Sequence, residues 1–571
     1  MKPASTLVER LREHAAHRPE KVAMHVLDKG QNAVQTLSYA ELDARARAIA
    51  AYLQQRNACG ERALLLLPTS VSYVTGFLGA LYAGAIAVPA YPPESQRSQH
   101  LERVASLARD AQPRFVLSSA RELPRLRGLI DLVPELQAAE LVALDTIPLE
   151  LADDYDFAAA ALTPDTLAFL QYTSGSLAAP KGVMVSHGNL VANERAISHA
   201  LEFGEHDVMV SWLPLFHDMG LIGGLLQPLF VGASVVLMSP LRFLERPIRW
   251  LEAISEYGGT VSGGPDFAYR MCVDRIEPSA LSKLDLSRWR LAYSGSEPIR
   301  ASTLAAFADR LARARFAASA LYPCYGLAEA TLLVSGVKPG SGVRVSALAS
   351  GVVSCGRVPP EHNVAVLDPS SLQVLPEGQI GEICVSGPSI AQGYWRNPSA
   401  TASGFVLQAG RRYLRTGDLG FVHDHEIYIS GRLKDLIIVR GRNVVPQDIE
   451  DFLAGHVSPL QLGRVSVFSL QTDTGEAIGV AAELSRAAAR SMRPEQLCQA
   501  IAAAVHECVD EPARLVLLLG PGALPRTSSG KLQRSACAQR FRSGELAPLA
   551  VYRDGVLQVS QPSAAAAVEV V

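Results

Sequence analysis

Apolar residues follow two different patterns along the chain. From residue 20 to about residue 430, short apolar runs alternate with longer segments of helical periodicity. Examples of the short runs are RFVL at 114–117, SVVL at 234–237 and RLAY at 290–293. Since strands that alternate with helices form sheets covered by those helices, the pattern predicts an α/β fold with largely parallel sheets.

Beyond about residue 350, short strand-like segments are separated by glycines. The segments HNVAVLDP, GEICVSG and EIYISG predict a β-rich subdomain packed on two α/β layers. After GRLKD, a smaller α/β unit extends to about residue 545. We therefore expect a large N-terminal domain at 1–431 and a small C-terminal domain at 437–545. The remainder, 546–571, ends in the low-complexity SQPSAAAAVEVV and is expected to be a disordered tail.

One segment, residues 63–91, is apolar enough to suggest a membrane span. Pro68 and the polar residues after it interrupt the segment, and Pro89 closes it. Neither half reaches the roughly 20 apolar residues that a bilayer requires. The segment therefore predicts a buried strand, a helix and a second strand, with no stable membrane insertion.

Composition narrows the class of protein. A chain of 571 residues that is 48% hydrophobic and 19% charged indicates a globular protein of more than one domain. The net charge of −3 provides no electrostatic case for binding nucleic acid. The eight cysteines include no C-x-x-C pair, which argues against a zinc site or a disulfide framework and favours a cytoplasmic location.

The stretch QYTSGSLAAPKGV at 171–183 combines hydroxyl residues, glycines and a lysine directly after an apolar run. Glycine allows backbone N–H groups to approach a ligand, and lysine adds a positive charge, so the stretch predicts a phosphate-binding loop. It fits neither the Walker pattern nor the dinucleotide fingerprint. An ordinary glycine- and serine-rich surface loop is the alternative interpretation.

Four further segments carry candidate chemistry. YGLAEA contains Glu329, a carboxylate of the kind that binds nucleotide-bound magnesium, and RTGDLG contains Asp418, which could accept hydrogen bonds from ribose hydroxyls. Each could equally be a solvated loop or turn residue. GRLKDLIIVRGRNVVPQDIE carries Arg432 and Lys434, and PRTSSGK places Lys531 in a loop near the C-terminus.

In this order, the five segments resemble the adenylate-forming superfamily of acyl-CoA synthetases, luciferases and peptide-synthetase adenylation domains, over residues 10–545. The segments LQYTSGS, WLPLFHDMGLIGG, SGGPDFAY and YGLAEATLLVSG are most similar to fatty acyl-AMP ligases. The resemblance implies a hinge at 432–436 and a mobile C-terminal domain. Lys434 stands where most of the superfamily carries aspartate, which again is similar to the acyl-AMP ligases.

The resemblance implies a role for each candidate residue. Lys531, His217, Thr173 and Glu329 would form the catalytic set, and a core histidine that caps a turn is the alternative for His217. The ATP contacts would be Thr173, Ser174, Gly175, Ser176 and Lys181 to the triphosphate, Ser296, Glu297 and Tyr325 around the adenine, Asp418 and Arg432 to ribose and phosphates, and Lys531 to the α-phosphate and the substrate carboxylate. Gly326, next to Tyr325, would also be part of the nucleotide site. Glu329 would bind Mg²⁺.

The implied reaction activates a fatty acid with ATP and Mg²⁺ to an acyl-adenylate and then transfers the acyl group to an acyl carrier protein. No DSL-type attachment site occurs in the chain, so the carrier would be a separate protein or a carrier domain of a polyketide or peptide synthase. A fatty acyl-CoA synthetase is the alternative within the fold. A non-catalytic nucleotide-binding scaffold is the alternative outside enzymes.

Three features bear on these alternatives. Residues 335–356 look like a compact version of the insertion that restricts domain movement in acyl-AMP ligases. Asp266 stands where the family usually has a neutral asparagine. Gly220, Gly223 and Gly224 leave space for a fatty-acid tunnel, although such glycines also allow tight helix packing.

Overall fold

The computed structural model describes residues 4–27, 34–91, 98–173, 180–349, 351–440, 442–461, 463–472, 475–526 and 532–559. These residues form two compact units. The larger unit extends to Ser430, except that Gly417–Leu419 group with the smaller unit, which begins at Gly431. The hinge expected at 432–436 remains a prediction.

The larger unit and the strand that leads out of it contain nineteen strands and thirteen α-helices among the described residues. The strands are β1 (Val22–Leu27), β2 (Val34–Ser38), β3 (Arg62–Leu65), β4 (Ile86–Pro89), β5 (Phe115–Ser118), β6 (Glu140–Ala143), β7 (Leu167–Thr173), β8 (Lys181–Ser186), β9 (Val208–Ser211), β10 (Ser234–Met238), β11 (Val261–Gly264), β12 (Leu291–Ser294), β13 (Leu321–Gly326), β14 (Leu333–Gly336), β15 (Asn363–Leu367), β16 (Gly381–Ser386), β17 (Phe405–Gln408), β18 (Arg411–His423) and β19 (Glu426–Arg432). The helices are α1 (Leu7–His17), α2 (Tyr39–Gln54), α3 (Val71–Tyr82), α4 (Ser98–Ala111), α5 (Leu123–Ile130), α6 (His187–Ala200), α7 (Gln227–Val231), α8 (Pro240–Glu245), α9 (Ile248–Tyr257), α10 (Asp266–Arg275), α11 (Pro278–Leu281), α12 (Ala301–Leu311) and α13 (Pro398–Gly404).

Two sheets form the core of the larger unit. The eight-stranded sheet has the order β14-β13-β12-β11-β9-β10-β1-β2 and is parallel except for the strands at its two edges. The six-stranded sheet has the order β6-β5-β3-β4-β7-β8 and is parallel except for β8. The predicted α/β architecture with largely parallel sheets is confirmed.

The apolar segment 63–91 is part of this core. It forms most of β3, then α3, then β4, as the sequence predicts. Ser70 caps α3 by accepting a hydrogen bond from the Tyr73 N–H, and nearly every residue of this helix is buried. None of the helices in the described parts of the chain combines the length and the apolar character needed to cross a bilayer.

The predicted β-rich subdomain is a five-stranded sheet in which β15, β16, β18 and β17 lie side by side and β19 pairs with β18. Its apolar face includes Ile383, Val385, Leu414 and Ile427, all of them buried. Tyr325 of β13 packs in the same cluster. The subdomain therefore lies against the strand that leads to the YGLAEA turn.

The smaller unit is a separate α/β layer pair. Its elements are β20 (Ile437–Val439), β21 (Arg442–Val444), α14 (Pro446–His456), β22 (Val465–Thr472), β23 (Gly475–Glu483), α15 (Arg486–Ser491), α16 (Pro494–Val509), β24 (Ala513–Leu519), α17 (Arg534–Arg542), β25 (Ala550–Arg553) and β26 (Val556–Val559). The main sheet has the order β22-β23-β24-β25-β26. α14 and α16 share one apolar cluster with this sheet, and α17 shares the other.

The expectation of a disordered tail from residue 546 is wrong for residues 550–559. β25 and β26 form an antiparallel hairpin that extends the sheet beyond β24. Asp554 and Gly555 both have positive φ, +46° and +88°, as a two-residue hairpin turn requires. The Asp-Gly pair between two alternating segments was the signal that the low-complexity end of the chain obscured. Residues 560–571 lie outside the described residues.

Candidate active site

The predicted phosphate loop joins the two strands of an antiparallel hairpin. β7 ends at Thr173, whose register partner is Lys181 at the start of β8. Ser174, Gly175 and Ser176 lie outside the described residues, so their phosphate contacts remain predictions.

Tyr172 fixes the end of β7 that precedes the loop. Its hydroxyl donates to Asp110 Oδ2 of α4 at 2.5 Å. Burial, reinforced by Asp110, raises the pKa of Tyr172, so the hydroxyl stays protonated and remains a donor. The strand that enters the loop is thereby tied to a helix of the α/β layer.

Tyr394 brings Lys181 and Glu329 together. The Lys181 Nζ lies 5.0 Å from the centroid of the Tyr394 ring, and the Tyr394 hydroxyl donates to Glu329 Oε1 at 2.9 Å. Lys181 is exposed, whereas the other two residues are half-buried. Burial and the adjacent Glu329 carboxylate raise the pKa of Tyr394, which keeps its hydroxyl a donor. The residues predicted for phosphate and for metal are therefore neighbours.

The segment at 391–395 connects the two sides of this arrangement through its backbone. The Trp395 N–H donates to the Gly182 carbonyl of β8 at 2.8 Å, and the Ala391 N–H donates to the Glu329 carbonyl at 2.9 Å. The hairpin of the phosphate loop and the turn of Glu329 are thus held by the same short segment.

Glu329 lies on a 3₁₀ turn, Ala328–Ala330, that follows β13. Thr331, the next residue, is buried and has φ +69°, a rare conformation for a β-branched residue. Its hydroxyl donates to the Ser389 carbonyl at 2.6 Å, which helps to hold the strained turn. A Cβ at Gly326 would lie 2.0 Å from a backbone carbonyl oxygen, so this close approach requires glycine.

The three residues predicted to border adenine lie on two neighbouring strand ends. Ser296 has φ +72° in the turn after β12. The Glu297 Oε1 accepts the Phe267 N–H at 2.6 Å and so caps the start of α10. Tyr325 is buried near the end of β13. Because β12 and β13 are adjacent and parallel, their carboxyl ends meet at one edge of the sheet.

Asp266, the residue that departs from the family pattern, has a charged partner. Its Oδ1 accepts the Arg300 backbone N–H at 3.0 Å, and its Oδ2 lies 3.6 Å from the Arg300 guanidinium. The two side chains are 4% and 18% exposed. The negative charge at this position is therefore matched by a cation on the loop that follows Glu297.

His217 precedes a π-helix, Met219–Leu226. Its ring is half-buried and contacts the Phe216 ring at 4.8 Å. A Cβ at Gly220 would lie 2.2 Å from the Pro214 carbonyl oxygen, and one at Gly224 would lie 2.6 Å from the Ser211 hydroxyl. Tight packing against the backbone or a neighbouring side chain thus accounts for these two glycines. Gly223 is less tightly enclosed, since a Cβ there would lie 3.1 Å from the Leu332 side chain.

Asp418 and Arg432 form an ion pair in the smaller unit. The Arg432 Nε donates to Asp418 Oδ1 at 2.9 Å, with the aspartate side chain 7% exposed and the arginine side chain 53% exposed. Gly417 has φ +71°, which turns the chain immediately before Asp418. The structure therefore brings together the two residues predicted for ribose and phosphates.

Lys531 lies outside the described residues, but both ends of its loop are described. Arg526 and Leu532 form a bridge, and the Gln533 N–H donates to the Pro525 carbonyl at 3.0 Å. The residues on either side of 527–531 are therefore joined to each other through their backbones.

Arg534 follows this loop and is enclosed by acceptors. Its guanidinium donates to both oxygens of Glu450 at 2.7 Å, to Asp435 Oδ2 at 3.0 Å and to Gln447 Oε1 at 2.9 Å. Burial would lower the pKa of Arg534, but Glu450 and Asp435 outweigh it and raise the pKa. Arg534 is thus a structural cation rather than part of a solvated basic face.

The segment at 335–356 is anchored on the β-rich subdomain. Arg344 forms an ion pair with Glu426, and the Ser354 hydroxyl donates to Glu426 Oε2 at 2.7 Å. The Cys355 N–H donates to the Ile427 carbonyl at 2.8 Å. The segment is therefore bound to β19, the strand that leads to the predicted hinge; its effect on domain movement remains a prediction.

Comparison with known proteins agrees with this arrangement. The sequence model of the family described as "AMP-binding enzyme" matches residues 11–395. The medium-chain-fatty-acid–acyl-carrier-protein ligase of Moorena producens is 38% identical over 95% of this chain and 96% of its own length. This chain belongs to the fatty acyl-AMP ligases of the AMP-binding enzyme family. A further relative, the long-chain-fatty-acid–AMP ligase of Mycolicibacterium smegmatis, is 34% identical over 95% of each chain.

Among solved structures, the fatty acyl-adenylate ligase of L. pneumophila in complex with acyl adenylate and pyrophosphate is 36% identical. Its TM-score is 0.73, and the match covers 96% of this chain and 98% of that one. The predicted family is thereby confirmed.

In this acyl-AMP ligase, the donors around Glu329 suit Mg²⁺. Mg²⁺ prefers oxygen ligands and usually takes one or two carboxylates together with substrate phosphates and water. A carboxylate oriented by a tyrosine hydroxyl, beside a lysine predicted to hold phosphate, meets that requirement. Sequence reasoning missed Tyr394, although its GYW segment follows a predicted strand and carries an aromatic residue with a polar tip.

Proposed function

We propose that this acyl-AMP ligase activates a fatty acid with ATP and Mg²⁺ and passes the acyl group to a separate acyl carrier protein in the cytoplasm. The observation that carries the proposal is the contact of Tyr394 with both Lys181 and Glu329 beside the phosphate-loop hairpin. The full-length similarity to an acyl-carrier-protein ligase supports the choice of acceptor.

In the first half-reaction, a carboxylate oxygen of the fatty acid attacks the α-phosphorus of ATP. The bond from that phosphorus to the bridging oxygen breaks, and pyrophosphate leaves. Lys181 binds the phosphates, and Glu329 would hold Mg²⁺, which when bound offsets phosphate charge. Asp418 accepts from the ribose hydroxyls, and Arg432 offsets phosphate charge. Lys531 contacts the α-phosphate. Positioning and charge stabilisation account for the rate in such a mechanism, so it requires no protein nucleophile.

In the second half-reaction, the carrier thiol attacks the acyl carbonyl, and AMP leaves as the thioester forms. The acceptor must therefore reach the acyl-adenylate after pyrophosphate has departed. Coenzyme A carries the same thiol chemistry, so the two acceptors are separated by what surrounds the thiol rather than by the reaction.

The test combines the enzyme with ATP, Mg²⁺ and a panel of fatty and aromatic acids that includes octanoate. We expect pyrophosphate release that depends on a fatty acid, and an acyl-thioester on a holo-carrier detected by mass. Absence of acid-dependent pyrophosphate release would overturn adenylation. Thioester formation on coenzyme A but not on the carrier would overturn the proposed acceptor.

A further inference from the structure

We infer that Tyr394 is a positioning residue for the Mg²⁺-bound triphosphate. Its hydroxyl orients the carboxylate of Glu329, and its ring places the ammonium of Lys181. The inference rests on the roles proposed above for Glu329 and Lys181. Tyr394 is then the residue that links Glu329 and Lys181 in binding the triphosphate.

The hydroxyl acts on the carboxylate. A hydrogen bond of 2.9 Å from the Tyr394 hydroxyl to Glu329 Oε1 restrains rotation of the carboxylate. The direction of the second oxygen is then set as well. Groups that hydrogen-bond to a metal ligand in this way orient the ligand and tune the metal site.

The ring acts on the lysine. An ammonium over an aromatic face is attracted without being neutralised, because the partner carries no net charge. Within the described ranges, no carboxylate forms an ion pair with Lys181, whose Nζ lies 5.0 Å from the Tyr394 ring centroid. The full positive charge of Lys181 is therefore retained for phosphate oxygens.

The backbone of Tyr394 is itself fixed. Its N–H donates to the Thr401 hydroxyl oxygen at 3.0 Å, and that hydroxyl donates to the Asn397 carbonyl at 2.9 Å. Tyr394 also forms a bridge with Val183 of β8. A residue held by two elements can transmit position to the groups it touches.

The test separates the two arms of Tyr394 by measuring ATP affinity in Mg²⁺ and in EDTA, by calorimetry, without fatty acid. Tyr394→Phe keeps the ring and loses the hydroxyl. We expect the gain in ATP affinity from Mg²⁺ to fall by roughly tenfold in this variant, with the affinity in EDTA unchanged. Tyr394→Leu loses both arms, so ATP affinity in EDTA should also fall by about threefold.

The matched control is Tyr155→Phe. The Tyr155 hydroxyl donates to a backbone carbonyl at 3.1 Å, and an arginine lies over its ring, but it contacts neither Lys181 nor Glu329. It should leave both ATP affinities unchanged. In a Glu329→Gln background, Tyr394→Phe should have less than about a twofold effect, since the carboxylate through which it acts is gone.

Three results with the variants would overturn the inference. In the first, Mg²⁺ increases the ATP affinity of Tyr394→Phe as much as that of wild type. In the second, Tyr155→Phe loses as much of this increase as Tyr394→Phe does, and in the third, Tyr394→Phe still lowers it tenfold in the Glu329→Gln background. A wild-type protein that binds ATP equally with and without Mg²⁺ would also overturn it. Fatty-acid-dependent pyrophosphate release by that same protein would still support the proposed function, so the two failures are distinguishable.

Discussion

Lys181 and Arg534 are both cations next to predicted catalytic loops, yet the protein treats them in opposite ways. Arg534 is half-buried and donates to Glu450, Asp435 and Gln447. Lys181 is exposed and lies over a neutral ring. The first charge is satisfied by the fold, whereas the second is held in place without being neutralised.

The difference follows from what each cation must do. A buried charge is tolerated only when its partners replace the water it has lost. A cation that binds a ligand must exchange solvent for that ligand, and an internal carboxylate would compete with it. Charge alone therefore does not identify a site residue, and the partner has to be examined.

Removing Arg534 should produce the largest effect on stability. Arg534→Met leaves the buried Glu450 and the half-buried Asp435 without their counter-charge, so we expect a loss of about 3–5 kcal/mol in the unfolding free energy of the smaller unit. Arg542→Met, on the same helix and exposed, should change stability by less than about 0.5 kcal/mol. Urea unfolding of both variants is the measurement. Equal stability of the two would contradict the structural role of Arg534.

Removing Lys181 should produce the opposite result. Lys181→Met should lower fatty-acid-dependent pyrophosphate release by about 10²–10³-fold, which corresponds to ~2.7–4 kcal/mol of barrier. Its unfolding free energy should change by less than about 0.5 kcal/mol, because the side chain is exposed. Lys283→Met, also exposed and in the larger unit, should affect neither quantity. A stability loss as large as that of Arg534→Met would erase the distinction between the two cations.

The sequence allowed one side of this comparison to be predicted and not the other. Lys181 was predicted as a phosphate residue because it stands in a recognisable glycine- and serine-rich segment. Arg534 stands near Arg540 and Arg542 in the chain, and this local pattern alone does not distinguish it from those two residues. Its acid partners are 84 and 99 residues away, so only the folded chain shows that it is enclosed by acceptors.

Distance along the chain also explains why Tyr394 was missed. The contacts that make it part of the site join residues 65 positions apart or more, through a segment that pairs with β8. Local patterns, by contrast, predicted β5, β10 and β12 almost to the residue, since each is a short apolar run in a parallel sheet. Periodicity reports burial, but it does not report which distant side chain occupies the other face.

His187 extends the comparison from cations to a buried base. It is 1% exposed, and its Nδ1 has no hydrogen-bond partner among the described residues. Burial lowers the pKa of His187 to about 4, against an opposing effect of Glu9. Below about pH 6.5 the histidine is protonated in the unfolded chain but stays neutral in the folded chain. The free energy of unfolding should therefore fall as pH decreases from about 6.5 to about 4, by up to about 3 kcal/mol.

Unfolding of His187→Gln across that pH range tests this expectation. In this variant the free energy of unfolding should depend less steeply on pH than in wild type, by the slope that corresponds to the uptake of about one proton on unfolding. His206→Gln, at a position that is 94% exposed, should retain it. Glu194, on the same helix as His187, has a pKa raised by burial and contributes the opposite slope above about pH 4.5, but it is present in both variants. An unchanged slope in His187→Gln would show that His187 is not kept neutral by burial.

The smallest expected effect concerns Asp266, whose ion pair lies between the two extremes. Asp266→Asn keeps an oxygen that can accept the Arg300 N–H and removes the charge opposite the guanidinium, so we expect a loss of about 1–2 kcal/mol in unfolding free energy. Asp274→Asn is the matched control, since Asp274 pairs with Arg270 on the same helix at 3.0 Å but both side chains are nearly half exposed. Solvent screens that pair, and its loss should cost less than about 0.5 kcal/mol.

If urea unfolding shows the two variants to be equally stable, burial does not strengthen the Asp266 pair, and the departure from the family's asparagine has no stabilising role. If Asp266→Asn alone is destabilised, the aspartate and Arg300 act as a pair, and the additional variant Asp266→Asn with Arg300→Gln should recover part of the loss because both charges of the pair are then removed together.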